Sequence, residues 1–437
     1  MPDRVMGIRK QLSLRNEILG ERLTNLLPKV MNAHDIDLWI VAAREHNEDP
    51  VMYSMLPAPM MSARRTTVLL FYKQPNGEIE RMCLSRKNGG LDKYYKNVWI
   101  HQKGSDWLFD TILMPDRDVA DVQDGSTEEE QFECVGRIVR ERNPSRIGLN
   151  YSDRTAFGDG ISHSLYLEIE QALGPDLSRK IVSAEELCVQ WLETRLDREI
   201  ELYRSIAGAA HAIIRSGFSN LVVKPEITTN RDIEYWMMEE GERRGFSNWF
   251  NAIVTIRRRG ENIGKEETVR RGDILHCDVG LRCMGYHFDA QANAYVMRIG
   301  ENQVPDGIEK LYDQGRTAHR LLAGEFVEGR MGDEILRETL KKVGEQGIRA
   351  MIYAHPIGLH GHAAGPNIGR VDNQRSIEGT GSHILREKTL HAMELCVIGN
   401  IPEWDGREAI LGFETEAVFE NGTVSFFYPQ DDLYVII

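Results

Sequence analysis

The stretch from Ile274 to Ala290, ILHCDVGLRCMGYHFDA, constrains the fold more than any other part of the chain. Ile274, His276 and Asp278, then His287 and Asp289, alternate with Leu275, Cys277, Val279 and Phe288. A period of two marks strands with one face turned to a core. Gly280 and Gly285 bracket a reversal, so an antiparallel pair is expected with Asp278 and Asp289 on one side of the sheet. Two carboxylates held together repel each other unless a cation lies between them. Taken alone, the pair fits either a metal site or a solvated hairpin, since exposed aspartate is common.

The remaining carboxylates and histidines bear on that choice. His355 to Gly365, HPIGLHGHAAG, packs three histidines and three glycines into a turn-rich loop where backbone and ligand can come close. Imidazole is the commonest neutral metal ligand and a proton carrier near neutral pH. Glu394 in AMELCVIG and Glu414 in ILGFETEAVF stand inside apolar strand-like runs. A glutamate facing inward there costs several kcal/mol unless neutralised; one on the outer face of its strand is simply solvated. Four carboxylates with one or two histidines form a hard donor set, suited to a pair of divalent ions such as manganese, cobalt, iron or zinc. Two ions about 3.5–4 Å apart acidify a bridging water and polarise the carbonyl it attacks.

At 437 residues the chain is too long for one ordinary core, which predicts two domains. A formal net charge of -14 and a pI near 5.5 disfavour nucleic acid or an anionic membrane as partner and are compatible with an acidic site for dications. Cys83, Cys134, Cys188, Cys277, Cys283 and Cys396 are scattered without CxxC pairs, so neither a disulfide framework nor a zinc knuckle is signalled. No run reaches the roughly 18 apolar residues of a membrane span, and MPDRVMGIRKQ has no apolar leader segment. A cytoplasmic protein is the default expectation, with a processed exported form as the alternative.

Along the chain, Arg15 to Leu27 reads as a surface helix ending near Pro28. Strand-like runs follow at Ile36 to Val41, Thr66 to Tyr72, Ile79 to Leu84, Val98 to His101 and Ile147 to Tyr151, with a helix from Thr127 to Arg142, giving an α/β domain without a Gly-rich phosphate loop. From Glu193 a long amphipathic helix carries Ile200, Tyr203, Ile206, Ala207, Ala210, Ile213 and Ile214 on one face. Lys224-Pro225 breaks it, Thr228 or Thr229 caps a helix from about Arg231 to Arg244, and Gly245 ends that helix. Helices near Ile308 to Leu322 and Asp333 to Val343 come next, and strands return from Met351. The helix-helix-strand arrangement thus occurs twice, as in a duplicated half.

The order Asp278, eleven positions on Asp289, then His355, Glu394 and Glu414 resembles the five metal ligands of the creatinase/aminopeptidase P/prolidase family. LETRLDREIELYRSIAGAAHAII, VVKPEITTNRDIEYWM and IPEWDGREAI resemble further segments of its catalytic domain. The resemblance runs from about Glu193 to Ile437, and more loosely through the part before it. It implies an α/β (α+β) chain with a creatinase-like N-terminal domain over residues 1–190 and a pita-bread catalytic domain over 191–437. It also implies two divalent metal ions per chain, manganese foremost, and a homodimer.

Carried over residue by residue, His355, Gly358 and His362 fall in register with the family's H-x-x-G-x-x-x-H motif. His355 then becomes a ligand, and His362 becomes the second histidine, which holds the carbonyl or tetrahedral intermediate. Glu394 becomes both ligand and handler of the water's proton, while His360 fits no motif position. Glu414 and Glu416 point the same way on one strand. Glu414 is chosen as the last ligand for its distance to the apolar run Ala417 to Phe419, although Gly412, four positions before Glu416, speaks for the other.

Three departures bear on the substrate. The histidine usual about seventeen positions before the first aspartate is absent from RRRGEN, Arg257 to Asn262; the threonine after the second aspartate is missing from DAQAN; and Met351 stands where a histidine is frequent. His276, His287 or His391 could carry protons instead, or His276 and His287 could hydrogen-bond the aspartates. Arg257, Arg258 and Arg259 could grip a substrate carboxylate or form a solvated basic turn. The reading is a dinuclear hydrolase of peptide bonds near a free N-terminus, an Xaa-Pro dipeptidase or aminopeptidase acting on small peptides. The alternatives are a hydrolase or lyase of a small non-peptide metabolite and a non-catalytic binding protein.

Overall fold

The computed structural model describes residues 5–58, 60–85, 89–99, 129–263 and 266–437. It divides into two compact units, Ile8–Leu192 and Glu193–Ile437, the latter joined by the residues before Ile8.

In the first unit the N-terminal helix does not stop at Pro28. Helix α1, Ile8–Glu21, passes through a π-helical turn, Arg22–Leu26, into α2, Leu27–Ala33. Pro28 sits in the first turn of α2, where its missing N–H has no intrahelical partner to lose. The helical run is also less superficial than expected: Ile18, Leu19, Leu23, Leu26 and Leu27 are buried. Strands β1 (Leu38–Arg44), β2 (Thr66–Lys73), β3 (Ile79–Ser85), β4 (Lys96–Trp99), β5 (Ile147–Leu149) and β6 (Ile181–Ser183) form a sheet of order β4-β3-β2-β1-β5-β6. The expected strand end at His101 and helix start at Thr127 lie outside the described residues; helix α4 is seen over Gln131–Arg142. Leu38, Ile40, Val68 and Leu70 pack against Val135, Ile138 and Val139 of α4 and Leu165, Ile169 and Leu173 of α5, His163–Ser178. Each such side chain contributes roughly 1.5–3 kcal/mol by leaving water.

A fully buried carboxylate in this unit, Asp49, caps the short helix α3, Pro50–Met55. It accepts from Val51 N at 2.7 Å, Met52 N at 3.4 Å and Asn150 Nδ2 at 2.8 Å. Asn150 in turn accepts from Trp39 Nε1 at 2.7 Å.

The second unit opens with α7, Asp197–Gly217, and α8, Asn230–Arg244. Thr229 and Asp232 cap α8 reciprocally, and Gly245, at φ 90°, ends it in the left-handed conformation that glycine adopts most easily. An 11-stranded sheet follows. Its main path is β12-β14-β15-β11-β10-β8-β9, with β9 over Glu261–Ile263, and the short strands β7 (Ser247–Asn248), β13 (His355–Pro356), β16 (Thr423–Phe426) and β17 (Tyr434–Ile436) pair off that path. The long strands are β8 (Ile253–Arg258), β10 (Ile274–Cys283), β11 (Tyr286–Val296), β14 (Thr389–Ile401) and β15 (Arg407–Glu420). Helices α9 (Asp306–Ala323) and α10 (Gly332–Glu345) stand between β11 and β12 (Arg349–Ile352), so two helices precede strands twice. Leu395, Val397, Leu411 and Phe413 bury one sheet face against Ile308, Leu311, Tyr312, Ile335 and Leu336 of those helices.

The reversal between β10 and β11 is made by Met284 and Gly285, both with positive φ. Gly280 has a different task from the one expected. It lies inside β10, where an added Cβ would come within 2.1 Å of the Phe250 ring and 2.4 Å of Trp249 Nε1.

Register places the functional residues. Directly opposed residues of antiparallel strands share a face. Glu394 opposes Glu414, Glu414 opposes Gln291, and Gln291 opposes Asp278, a row across four strands. Asp289 precedes Gln291 by two residues and opposes Gly280, so the two aspartates share a face diagonally and not as a direct pair. All six cysteines are buried and unpaired. Among the described residues, no helix is long and apolar enough to cross a membrane.

Candidate metal centre

His355 enters from β13, His355–Pro356, where it opposes Ala392 and therefore joins the face that carries Glu394. Its Nδ1 donates to Pro356 O at 2.9 Å, which leaves the Nε2 lone pair free. That lone pair points among carboxylate oxygens, 3.6 Å from Glu414 Oε1, 3.8 Å from Asp289 Oδ2 and 4.0 Å from Glu394 Oε2. These are too long for hydrogen bonds. Buried Asp278 Oδ1, Asp289 Oδ1, Glu414 Oε1 and His355 Nε2 have no hydrogen-bond partner among the described residues. Orphaned acceptors facing one another in a buried site are what a cation satisfies, so the residues present fit the metal pair that the sequence implied. The donor atoms fall into overlapping groups, Asp278, Asp289 and Glu414 in one and His355, Glu394 and Glu414 in another, with Glu414 common to both.

Without a cation the charge has to be relieved by protons. Burial, and then repulsion from Asp278, pushes the Glu394 carboxyl up to about 9. Burial raises Asp278 to about 6. Asp289 and Glu414 rise well above the usual carboxylate range through burial, followed by repulsion from Asp278 and Asp289 respectively. Burial, with His362 as a lesser cause, holds the His355 ring down at about 4, so it is a neutral donor at physiological pH.

Glu416 does not join this set. Its Oε1 accepts from Asp289 N at 3.0 Å, and its Oε2 lies 3.1 Å from His211 Nε2. Glu414 is the member of the pair that the geometry brings to the other four residues.

His362 lies at the exposed rim, its ring edge-on to His355 at 4.6 Å and to Trp249 at 5.6 Å. A ligand atom of His362 groups with Asp289 and His355. His360 stacks on His287 at 6.4 Å. Gly361 has no room for a side chain, since a Cβ would lie 2.5 Å from the Trp249 ring. Trp249, which donates from Nε1 to Phe288 O at 3.0 Å, thus braces the histidine loop.

The expected auxiliary residues separate. His276 reaches Gln291 and not an aspartate, with Nε2 2.9 Å from Gln291 Oε1. His391, three residues from Glu394 on β14, faces the other side of the sheet beside Thr389 and Phe326. Arg258 is held by Asp273 through two bonds of 2.8 Å. Arg259 is exposed on a positive-φ turn. Arg257 opposes Ile274, in electrostatic reach of His276, Tyr353 and Cys396, and its buried Nη1 has no hydrogen-bond partner among the described residues.

The residue that sequence reasoning missed is Gln291. Its amide nitrogen donates to Glu394 Oε1 and, at 3.1 Å, to Glu414 Oε2. The only sequence signal was the missing threonine of DAQAN.

The sequence model described as "Metallopeptidase family M24" matches residues 201–421, more than half of the chain. Comparison with curated protein sequences finds no match. Among solved structures, the fold is similar to an X-Pro aminopeptidase from Thermotoga maritima, with 14% identity, 93% of this chain and 99% of that chain covered, and a TM-score of 0.62. It is similar also to an Xaa-Pro dipeptidase from Bacillus anthracis, with 14% identity, 99% and 100% covered, and a TM-score of 0.61. A dipeptidase from Mycobacterium ulcerans gives 13% identity, 97% and 98% covered, and a TM-score of 0.59. These likenesses establish the pita-bread fold.

Proposed function

Since the chain belongs to metallopeptidase family M24, we propose that it is a dinuclear metal-dependent hydrolase of peptide bonds near a free N-terminus, with Xaa-Pro dipeptides or the first bond of Xaa-Pro peptides as substrates. The observation that carries this reading is the convergence of orphaned Asp278, Asp289, His355 and Glu414 atoms, with Glu394 beside them, on one buried point. Asp278, Asp289, His355, Glu394 and Glu414 would hold divalent ions, whose chemistry when bound would be to acidify a water and polarise the scissile carbonyl. Glu394, at the partly exposed edge of the set, would accept the proton of the attacking water and return it to the leaving amine. His362, at the rim and not in the interior, contacts the carbonyl oxygen as charge develops on it. His355 stays neutral and fixed by its bond to Pro356 O.

Arg257 favours short substrates. It is the member of the arginine run whose guanidinium has a buried nitrogen without a partner among the described residues, on the site face, and a substrate carboxylate would satisfy it in a planar fork.

The test is hydrolysis of Xaa-Pro dipeptides, their C-terminal amides, Xaa-Pro-Xaa tripeptides and non-proline peptides by protein reconstituted separately with manganese, cobalt and zinc. Cleavage of dipeptides with loss on amidation is expected. Cleavage of tripeptides at the first bond, indifferent to amidation, would instead make it an aminopeptidase and remove the role given to Arg257. Silence on every peptide with two ions bound would overturn the peptidase reading in favour of a small non-peptide metabolite.

A further inference from the structure

We propose that Gln291 is a positioning residue of the metal centre, holding Glu394 and Glu414 together through one amide, and that Gly412 exists in its present form to admit it. The inference rests on the metal-centre reading above and concerns how this chain replaces the threonine its family resemblance led us to expect.

The chemistry of the contacts fixes the amide's orientation. With cations bound the two carboxylates are ionised and only accept hydrogen bonds, so the group facing Glu394 Oε1 and Glu414 Oε2 is the amide nitrogen with its two hydrogens. The carbonyl then faces His276 Nε2 at 2.9 Å, and because a carbonyl oxygen only accepts, that nitrogen carries the hydrogen. Gln291 is held at its main chain as well, where Gln430 Nε2 donates to its carbonyl. One side chain thereby engages one oxygen of each glutamate, leaving Glu414 Oε1 and Glu394 Oε2, the oxygens nearest His355 Nε2, turned toward the centre.

The two glutamates oppose each other on neighbouring strands, where like charges repel. A neutral donor bonded to both fixes their rotamers without adding charge. Threonine, with one hydroxyl hydrogen and a shorter reach, could not donate to both at once. The longer side chain needs space, and Gly412 supplies it. A Cβ at that position would lie 2.5 Å from Gln291 Oε1 and 2.6 Å from His276 Nε2, closer than atoms pack. Gly412 also accepts from Asn293 Nδ2 at 2.6 Å through its carbonyl, so the backbone cannot easily move away.

The experiment is calorimetric titration of the metal-free protein with manganese chloride for wild type, Gln291→Leu, Gly412→Ala, Gln291→Ala and the Gln291→Ala/Gly412→Ala double variant, with the unfolding temperature of each metal-free protein measured alongside. Partners that orient metal ligands typically contribute about 10–100-fold in metal affinity. Gln291→Leu and Gly412→Ala should each lose affinity on that scale while the metal-free proteins unfold near the wild-type temperature. In the double variant the glycine change should add less loss than it causes in wild type, because Gln291, one of the two side chains it displaces, is already gone and only His276 remains in its way. Wild-type affinity in Gln291→Leu would overturn the proposal, and so would strictly additive losses in the cycle. Wild-type protein that takes up no divalent ion would overturn the metal-centre reading itself, a result distinguishable from either.

Discussion

Asp49 and Asp289 are both buried aspartates, and they are treated in opposite ways. Asp49 accepts from two backbone N–H groups and from Asn150, so each of its oxygens has a hydrogen-bond donor. Asp289 keeps Oδ1 without a partner and has the orphaned Nε2 of His355 3.8 Å from its Oδ2. Burial raises the carboxyl pKa in both, to about 6 in Asp49 and well above the usual range in Asp289, where repulsion from Asp278 adds to it. The difference separates a carboxylate that organises its own chain from one held in readiness for something else. Local hydrogen bonds complete the first, whereas the second sits among groups that share its deficit.

The largest effect expected from breaking this contrast is on chemistry. Glu394→Gln keeps the size and the contact position but cannot accept the proton, so the turnover number should fall by about 10²–10⁴-fold with the fold intact by circular dichroism. Retained turnover would remove the two-metal mechanism. Next in size is the effect on stability, which should have opposite signs at the two sites. Asp49→Ala leaves Asn150 and the first turn of α3 without their acceptor and should cost about 1–3 kcal/mol. Asp289→Asn should raise the unfolding temperature of metal-free protein by relieving repulsion, and weaken manganese binding; a fall in that temperature would refute the contrast.

The smallest expected effect is on pH. The folded Glu394 carboxyl is raised from its ordinary 4.5 to about 9. Its contribution to stability is therefore fully present below 4.5 and is lost as pH rises through 9. Between pH 7 and pH 9 the buried rings of His276, His287 and His355, held down near 4, are already neutral and do not interfere. Metal-free protein should accordingly lose a few degrees of unfolding temperature over that interval, and manganese should abolish the slope. A flat metal-free profile would show that these carboxylates do not share a buried site.

What was legible in the sequence was local. The alternation of Ile274 to Ala290 specified β10 and β11, and Thr228 or Thr229 with Gly245 marked the two ends of α8, because caps and periodicity act over a few residues. The convergence of His355, Glu394 and Glu414 on the two aspartates was implied only by the family resemblance in the order of these residues, and the register brings them to one face. Gln291 was not legible, since its partners Glu394 and Glu414 are more than 100 residues away and nothing in DAQAN marks one inward residue above another. The same distance hid His211, 205 residues from Glu416, and it was that contact which separated Glu416 from Glu414. Pro28 misled because proline ends helices only where an N–H is needed, and in the first turn of α2 none is.

The single register pair that joins β11 to β15, Gln291 with Glu414, has a further consequence. It is a seam between two hairpins whose own pairings run for ten residues in β10/β11 and thirteen in β14/β15. Asp278 and Asp289 lie on one side of it, Glu394 and Glu414 on the other. During synthesis the first hairpin is complete long before the second has been made, and closing the seam is a long-range event of the kind that slows folding. Metal capture has to wait for it. A cation held by carboxylates from both hairpins would then tie them together across a seam that the backbone itself closes at one residue pair.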